Sequence, residues 1–166
     1  MIPYMDLNEQ TDSDFARARR RSLLRGALAR LRGETASNRL LSFDEARRAL
    51  LANNHRHLGM RVVQADKIVG SVGRRRDFDR FIVPSRASVG ERWKRMDRAF
   101  HRADDLPPVE LHKIGDAYFV VDGHHRVSVA RYHGVRTVEA GVAEFYPKLS
   151  ATPVPDAGGK VSTTCP

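Results

Sequence analysis

The chain has 166 residues, of which 41% are apolar and 30% charged, with a formal net charge of +9 and a pI near 10.4. This length allows one domain with extensions, and the charge favours anionic partners. The single cysteine, Cys165, excludes an internal disulfide, and no apolar run reaches the ~20 residues that a membrane span requires. The N-terminal residues lack the apolar core of a signal peptide, so we expect a cytoplasmic protein with no membrane partner.

The first predicted element is a basic helix, capped by Asp12 or Ser13 and ending at Gly33. Its apolar positions run from Phe15 to Leu31, and its other face is rich in arginine. Such a face either binds a nucleic-acid backbone and releases counterions, or is the solvated face of a helix whose leucines dock on the domain. The candidate nucleic-acid-binding residues are Arg17, Arg19, Arg20, Arg21 and Arg25.

A polar connection over residues 34–41 leads to a second predicted helix. Ser42 and Glu45 have the spacing of a capping box, and the helix is expected to end near Asn53. His55 and His57 are expected in a loop, followed by short strands over residues 60–64 and 67–69. We assign residues 1–58 to a basic helical N-terminal extension.

The next segment combines a glycine-bearing loop with a run of arginines. Gly70 and Gly73 enclose Ser71, and the arginine run begins at Arg74. A loop of this kind can surround a phosphate with backbone amides, although a plain turn fits the sequence equally well.

Ser88 is expected to cap a helix over residues 89–103 that has an apolar stripe on one side and a second basic face on the other. Glu91, in its first turn, suits the helix dipole and is a weak candidate for a catalytic base. The stripe, which we expect to be part of the core, consists of Val89, Trp93, Met96 and Phe100.

A hairpin is predicted next, with strands over 109–114 and 117–121 joined at Gly115. After the segment Asp122-Gly123-His124-His125-Arg126, a short helix is expected to end at Gly134 and a last strand to occupy residues 137–142. Residues 150–166 are rich in Pro, Gly, Ser and Thr, and we expect them to be disordered.

The corner between strand and helix has the features of an anion site. Gly123 can adopt a backbone conformation that other residues resist, the first amides of the new helix lack helical partners, and Arg126 carries a charged fork. Asp122 is expected to cap the helix; its alternatives are to fix a histidine tautomer or to hold magnesium through water. The adjacent histidines lack the spacing of a zinc site, so we predict no metal-binding residues there.

The run from Leu106 to Val142, with Asp-Gly-His-His-Arg between a strand and a helix, resembles the ParB/sulfiredoxin superfamily. The resemblance implies an α+β fold, a small mixed sheet with packed helices, over residues 59–149. It also implies a site for the phosphates of CTP, ATP or ADP with magnesium. No cysteine follows the motif glycine, which excludes sulfiredoxin chemistry there. The cofactor-binding residues that it implies are Gly123, His124, His125 and Arg126, with Ser71 and Arg74 across the site.

The leading hypothesis is therefore a ParB-like nucleotide-binding protein that associates with nucleic acid through its basic helices. One alternative is a small-molecule phosphotransferase resembling the free-serine kinases, with Asp122 and Glu91 as weak catalytic candidates. Another is a non-catalytic module that docks on a protein or ribonucleoprotein. Hydrolysis or transfer of the nucleotide is left open.

Overall fold

The structure, a computed structural model, describes residues 6–33, 40–74, 77–80 and 82–148. Its α-helices are α1 (Leu7–Leu31), α2 (Phe43–Ala49), α3 (Gly90–His101) and α4 (His124–Tyr132). Its strands are β1 (Leu41–Ser42), β2 (Asn54–Gln64), β3 (Ile68–Ser71), β4 (Val109–Ile114), β5 (Ala117–Asp122) and β6 (Thr137–Tyr146). The predicted α+β class is confirmed. Within the described ranges no helix is both long enough and apolar enough to cross a membrane. The predicted disordered tail and residues 34–39 of the predicted connection lie outside these ranges.

The strands form one mixed sheet in the order β1-β3-β5-β4-β6-β2. β3 runs parallel to β1 and β5, and β6 runs parallel to β4, whereas the β4–β5 and β2–β6 pairs are antiparallel. Ser71, the last residue of β3, lies opposite Val120 of β5. Because neighbouring parallel strands end at the same sheet edge, the loop after β3 lies beside the corner after β5.

Three local predictions are confirmed. β4 and β5 form the predicted hairpin, and Gly115 adopts a φ of +57° in its turn. The side chain of Ser42 accepts a hydrogen bond from the amide of Glu45 at 3.3 Å and so caps α2. α4 ends two residues before Gly134, whose φ is +74°.

The outer strand β2 differs from the prediction because it begins at Asn54 and includes His55 and His57, which we expected in a loop. β6 likewise extends to Tyr146, and the two strands pair along their length across a bulge at Gly59. This ladder pairs one edge of the backbone of a mostly exposed, polar strand whose sequence shows little apolar alternation. The sheet therefore includes residues on both sides of residue 58, where the sequence analysis placed the end of the N-terminal extension.

Besides a smaller cluster between α2 and the sheet, two clusters of buried side chains organise the interior of the domain. One lies on the sheet and includes Ile68, Leu111 and Val120 with Val127 of α4. The other joins three helices around Trp93, which is fully buried and contacts Phe15 of α1 at 5.6 Å between ring centroids. The predicted core role of the α3 stripe is confirmed for Trp93, Met96 and Phe100, which all belong to this second cluster.

α1 begins earlier than predicted and packs through a different face. Leu24, Leu28 and Leu31 are 55%, 51% and 84% exposed, so the expectation that its leucines dock on the domain is wrong. The helix packs on α3 through Phe15, whose ring contacts Trp93, together with small and polar residues. Its buried residues are Thr11, Asp14, Ala18, Ser22 and Ala29.

Candidate functional site

The corner between β5 and α4 is formed by a glycine in a left-handed conformation. Gly123 occupies the N-cap position of α4 with φ +91° and ψ +21°, and no side chain caps the helix. A Cβ atom at this position would lie 2.6 Å from Cγ1 of Val109 and 3.2 Å from Cζ of Arg126. Gly123 is therefore required both by the backbone turn and by the close approach of β4.

Asp122 does not cap α4, so this prediction is wrong. Its Oδ2 atom instead accepts a hydrogen bond from Nη2 of Arg126 at 2.7 Å. The guanidinium lies four residues further along the chain. It gives the Asp122 carboxylate a bond between two charged groups, in place of a bond from an uncharged backbone amide of α4.

The same guanidinium holds the segment that enters β4. Nη1 of Arg126 donates to the carbonyl oxygens of Pro107 and Pro108, the latter at 2.6 Å. Its side chain is only 16% exposed. Arg126 thus connects the segment before β4 to the corner between β5 and α4. Several of its N–H donors are already used in these bonds, but its positive charge remains at the site.

Ser71 and His124 form a buried link between β3 and α4. Oγ of Ser71 accepts hydrogen bonds from the amides of Gly73 and Arg74, at 3.2 and 2.9 Å, and lies 2.7 Å from Nε2 of His124. A hydroxyl has two acceptor lone pairs and one proton, so its remaining proton is donated to Nε2. The neutral His124 ring then carries its proton on Nδ1. Burial, followed by the nearby charge of Arg74, lowers the pKa of His124 to about 4, which agrees with this neutral state.

His125 lines the site but lacks partners. Both of its ring nitrogens are inaccessible to solvent, and neither has a hydrogen-bond partner among the residues that the structure describes. Its ring packs edge-on against Phe78 at 5.3 Å. Burial, with the charges of Arg74 and Arg92, lowers the pKa of His125 to about 4. Because buried polar atoms are nearly always satisfied, these two nitrogens indicate a site for a further group.

A cleft of about 230 Å³ opens at the N-terminus of α4. Four of its lining residues are arginines and one is a carboxylate, Asp122, so its charge is strongly positive. The described residues that line it are Arg74, Arg92, Arg95, Met96, Asp122, Gly123, His124, His125 and Arg126.

The structure thus brings most of the predicted cofactor-binding residues together. Ser71 is the exception, because it is fully buried behind His124 and organises the loop without lining the cleft. Arg92 and Arg95 were not predicted as site residues, although the sequence places both on the basic face of the α3 helix. Of the two catalytic candidates, Asp122 lines the cleft; Glu91 does not, since it is exposed and pairs with Lys94 at 3.3 Å.

The arginines of α1 do not form one uniform surface. Arg17 and Arg20 are exposed, and Arg19 is partly buried. Arg21 lies over the ring of Tyr132 at 5.4 Å, and Arg25 approaches Asp79 at 3.7 Å. Part of the predicted nucleic-acid face is therefore used to attach α1 to the domain.

A larger cavity, of about 560 Å³, lies between α1 and the sheet and is also lined by arginines. The guanidinium of Arg131 in this cavity donates to the carbonyl oxygens of Ala65 and Ile68. Arg25 pairs with Asp79, as described above. Arg131 and Arg25 are thus engaged by surrounding residues of the fold, so the smaller cleft at α4 is the better candidate site.

No family model, curated protein or solved structure shows a significant match to this chain. The geometry of the site therefore carries the functional argument.

Proposed function

We propose that the cleft at the N-terminus of α4 binds the phosphate groups of a nucleotide, CTP, ATP or ADP, in a ParB-like manner. The observation that carries this proposal is the convergence of Arg74, Arg92, Arg95 and Arg126 on the first turn of a helix. Unpaired amides and the positive end of the helix dipole attract anions, and guanidinium groups match phosphate oxygens.

The size of the cleft supports binding through the phosphates. A volume of about 230 Å³ is below the roughly 300–1,000 Å³ of pockets that enclose a whole small molecule. It is large enough for a polyphosphate chain, with the base and ribose lying outside the arginine-lined part. The unpartnered nitrogens of His125 offer this chain further contacts.

Magnesium accompanies nucleotide phosphates in solution and would be held at this cleft by a carboxylate. Among the residues that the structure describes, Asp122 is the one carboxylate that lines it. Carboxylate oxygens suit magnesium, which usually keeps several water ligands and bridges to phosphate. Asp122 is 74% exposed on its side chain, so it is accessible to such an ion.

Thermal unfolding of the full chain with CTP, ATP, ADP and inorganic tripolyphosphate, each with magnesium, tests the proposal. We expect the triphosphates and tripolyphosphate to raise the melting temperature, because a ligand of the native state stabilises it by mass action. Arg92→Ala/Arg95→Ala should abolish the increase, while the matched control Arg102→Ala, outside the cleft, should retain it. An equal increase in both variants would refute a phosphate site at the cleft.

We further propose that α1 associates with nucleic acid through its exposed arginines. Arg17 and Arg20 are exposed, and the chain carries a net charge of +9. The dependence of affinity on salt, measured by fluorescence anisotropy with a single-stranded and a duplex oligonucleotide, should decrease in Arg17→Ala/Arg20→Ala by about one unit of logarithmic slope per lost phosphate contact. Arg61→Ala, an exposed arginine on β2, is the control. Identical slopes in the variant and the wild type would contradict this assignment.

A further inference from the structure

Four side chains capable of binding metal meet where α1, α3 and the end of α4 pack together. Asp14 belongs to α1, Asp97 and His101 to α3, and His133 directly follows α4. One ligand atom from each of the four side chains lies within 4.8 Å of all the others. Asp97 is completely buried and Asp14 is 7% exposed. We call this group the Asp–His cluster; it shares no residue with the cleft at α4.

The distances within the cluster are close to those of a four-coordinate metal site. Nε2 of His133 lies 2.7 Å from Oδ1 of Asp97, and Nε2 of His101 lies 3.2 Å from Oδ2 of Asp14 and 3.7 Å from Oδ2 of Asp97. Metal–ligand bonds of about 2.0–2.1 Å in a tetrahedron place the ligand atoms about 3.3 Å apart. These three distances lie within about 0.6 Å of that spacing. All four ligand atoms lie within 4.8 Å of one another, so side-chain adjustments within the cluster would admit an ion.

The electrostatics of the cluster favour a cation. Two carboxylates are buried together, and Oδ2 of Asp97 has no hydrogen-bond partner among the described residues. Among the described residues, Arg17 is the one arginine or lysine within ion-pair distance of either carboxylate. It lies 3.9 Å from Asp14 and is 64% exposed on its side chain. Buried carboxylates are costly unless they are paired or coordinate a metal.

The surroundings orient the ligand atoms. The hydroxyl of Tyr132 donates to Oδ1 of Asp14 at 2.9 Å, which leaves Oδ2 of that carboxylate directed to His101. The ring of His133 stacks on Phe100 with centroids 4.3 Å apart and planes 10° apart. Hydrogen bonds and packing of this kind hold the ligating side chains of metalloproteins in place.

We propose that Asp14, Asp97, His101 and His133 bind one zinc ion, which fastens α1 to α3 and α4. Two imidazoles and two carboxylates suit a borderline cation such as Zn²⁺. Four protein ligands leave no open position in a tetrahedral site, so the ion is structural. The arginine-bearing helix is then held on the domain by metal ligation as well as by packing.

Zinc titration of the metal-free full chain against a chromophoric chelator tests the proposal, in a Cys165→Ser background that removes the single thiol. We expect one ion per chain and a loss of affinity of at least about 100-fold in Asp97→Asn and His133→Gln. Even the loss of an outer partner weakens metal sites about 10- to 100-fold. His55→Gln/His57→Gln, which removes two exposed histidines of β2, is the control and should bind zinc normally. Absence of zinc binding by the unsubstituted chain, or zinc binding that only the control variant loses, would overturn the proposal.

Visible spectra of the cobalt-loaded protein provide a second test, which does not depend on variants that lose a ligand and fold poorly. Cobalt in place of zinc should give the intense visible bands of tetrahedral coordination. The variant His101→Cys should add a thiolate-to-cobalt charge-transfer band, because sulfur replaces nitrogen in the ligand set. Weak octahedral bands in the unsubstituted chain, or no charge-transfer band in His101→Cys, would overturn the assignment.

Discussion

Replacement of Gly123 by alanine tests the argument that this corner depends on a glycine. The added Cβ would face Val109, with Cγ1 at 2.6 Å and Cβ at 2.9 Å, and would sit on a backbone with φ +91°. Val109 belongs to the buried cluster on the sheet, so it has little room to move.

The expected cost has two parts. A non-glycine residue in a left-handed conformation costs about 1–2 kcal/mol. Overpacking of a well-filled core adds about 1–3 kcal/mol. Alanine also lowers the conformational entropy of the unfolded chain, which offsets about 0.4–1 kcal/mol of this loss. We therefore expect Gly123→Ala to lower the free energy of unfolding by about 1–4.5 kcal/mol.

Urea unfolding of Gly123→Ala and Gly115→Ala separates the two parts. Gly115 also has a positive φ, but a Cβ there would meet nothing within 4 Å. Its substitution should therefore cost only the backbone strain, about 1 kcal/mol. Adding Val109→Ala to Gly123→Ala removes the nearest obstructing atom, Cγ1, and leaves Cβ at 2.9 Å. This partial relief should give a favourable coupling of about 1 kcal/mol. Equal losses in the two glycine variants, without coupling to Val109, would refute the close-approach argument.

Two further predictions concern buried polar groups. His124 has a pKa of about 4 in the folded chain and 6.5 as its ordinary value, so the unfolded chain binds the proton more readily. The free energy of unfolding should fall as pH falls from 6.5 to 4, by about 3 kcal/mol for this residue. His124→Asn should reduce the pH dependence measured by urea unfolding, and an unchanged dependence would contradict a buried neutral ring. Nε1 of Trp93 donates to Oγ of Ser128 at 2.9 Å with both side chains fully buried. Ser128→Ala should therefore cost about 1–3 kcal/mol in the same assay, and a loss below about 0.5 kcal/mol would show that the indole finds another partner.

Local sequence patterns predicted the elements around the site well. The hairpin at Gly115, the cap at Ser42 and the strand–glycine–helix corner at Gly123 each depend on a few neighbouring residues. Turn and cap preferences act at that range. The role of Asp122 was missed because its partner Arg126 competes with the helix amides, and residue spacing alone does not rank the two interactions.

Features that depend on packing between distant elements were not predictable in the same way. The polar sequence around His57 gives little sign of a strand, yet the ladder with β6 extends through it. Arg92 and Arg95 were recognised as part of a basic face, but only the packing of α3 beside α4 brings them to the cleft. In the Asp–His cluster, Asp97 and His101 lie four residues apart on α3, but nothing in the sequence shows that Asp14 and His133 join them.

Calorimetric titration with magnesium and whichever of CTP, ATP or ADP stabilises the chain most tests the central claim most directly. We expect one nucleotide per unsubstituted chain, with binding lost in Arg92→Ala/Arg95→Ala and retained in Arg102→Ala. Among the described residues, those two arginines make none of the backbone bonds that Arg126 makes. Their loss should therefore leave the unfolding curve measured without nucleotide nearly unchanged. Binding of equal affinity in the double variant, or no heat with any of the three nucleotides, would contradict a phosphate site at the N-terminus of α4.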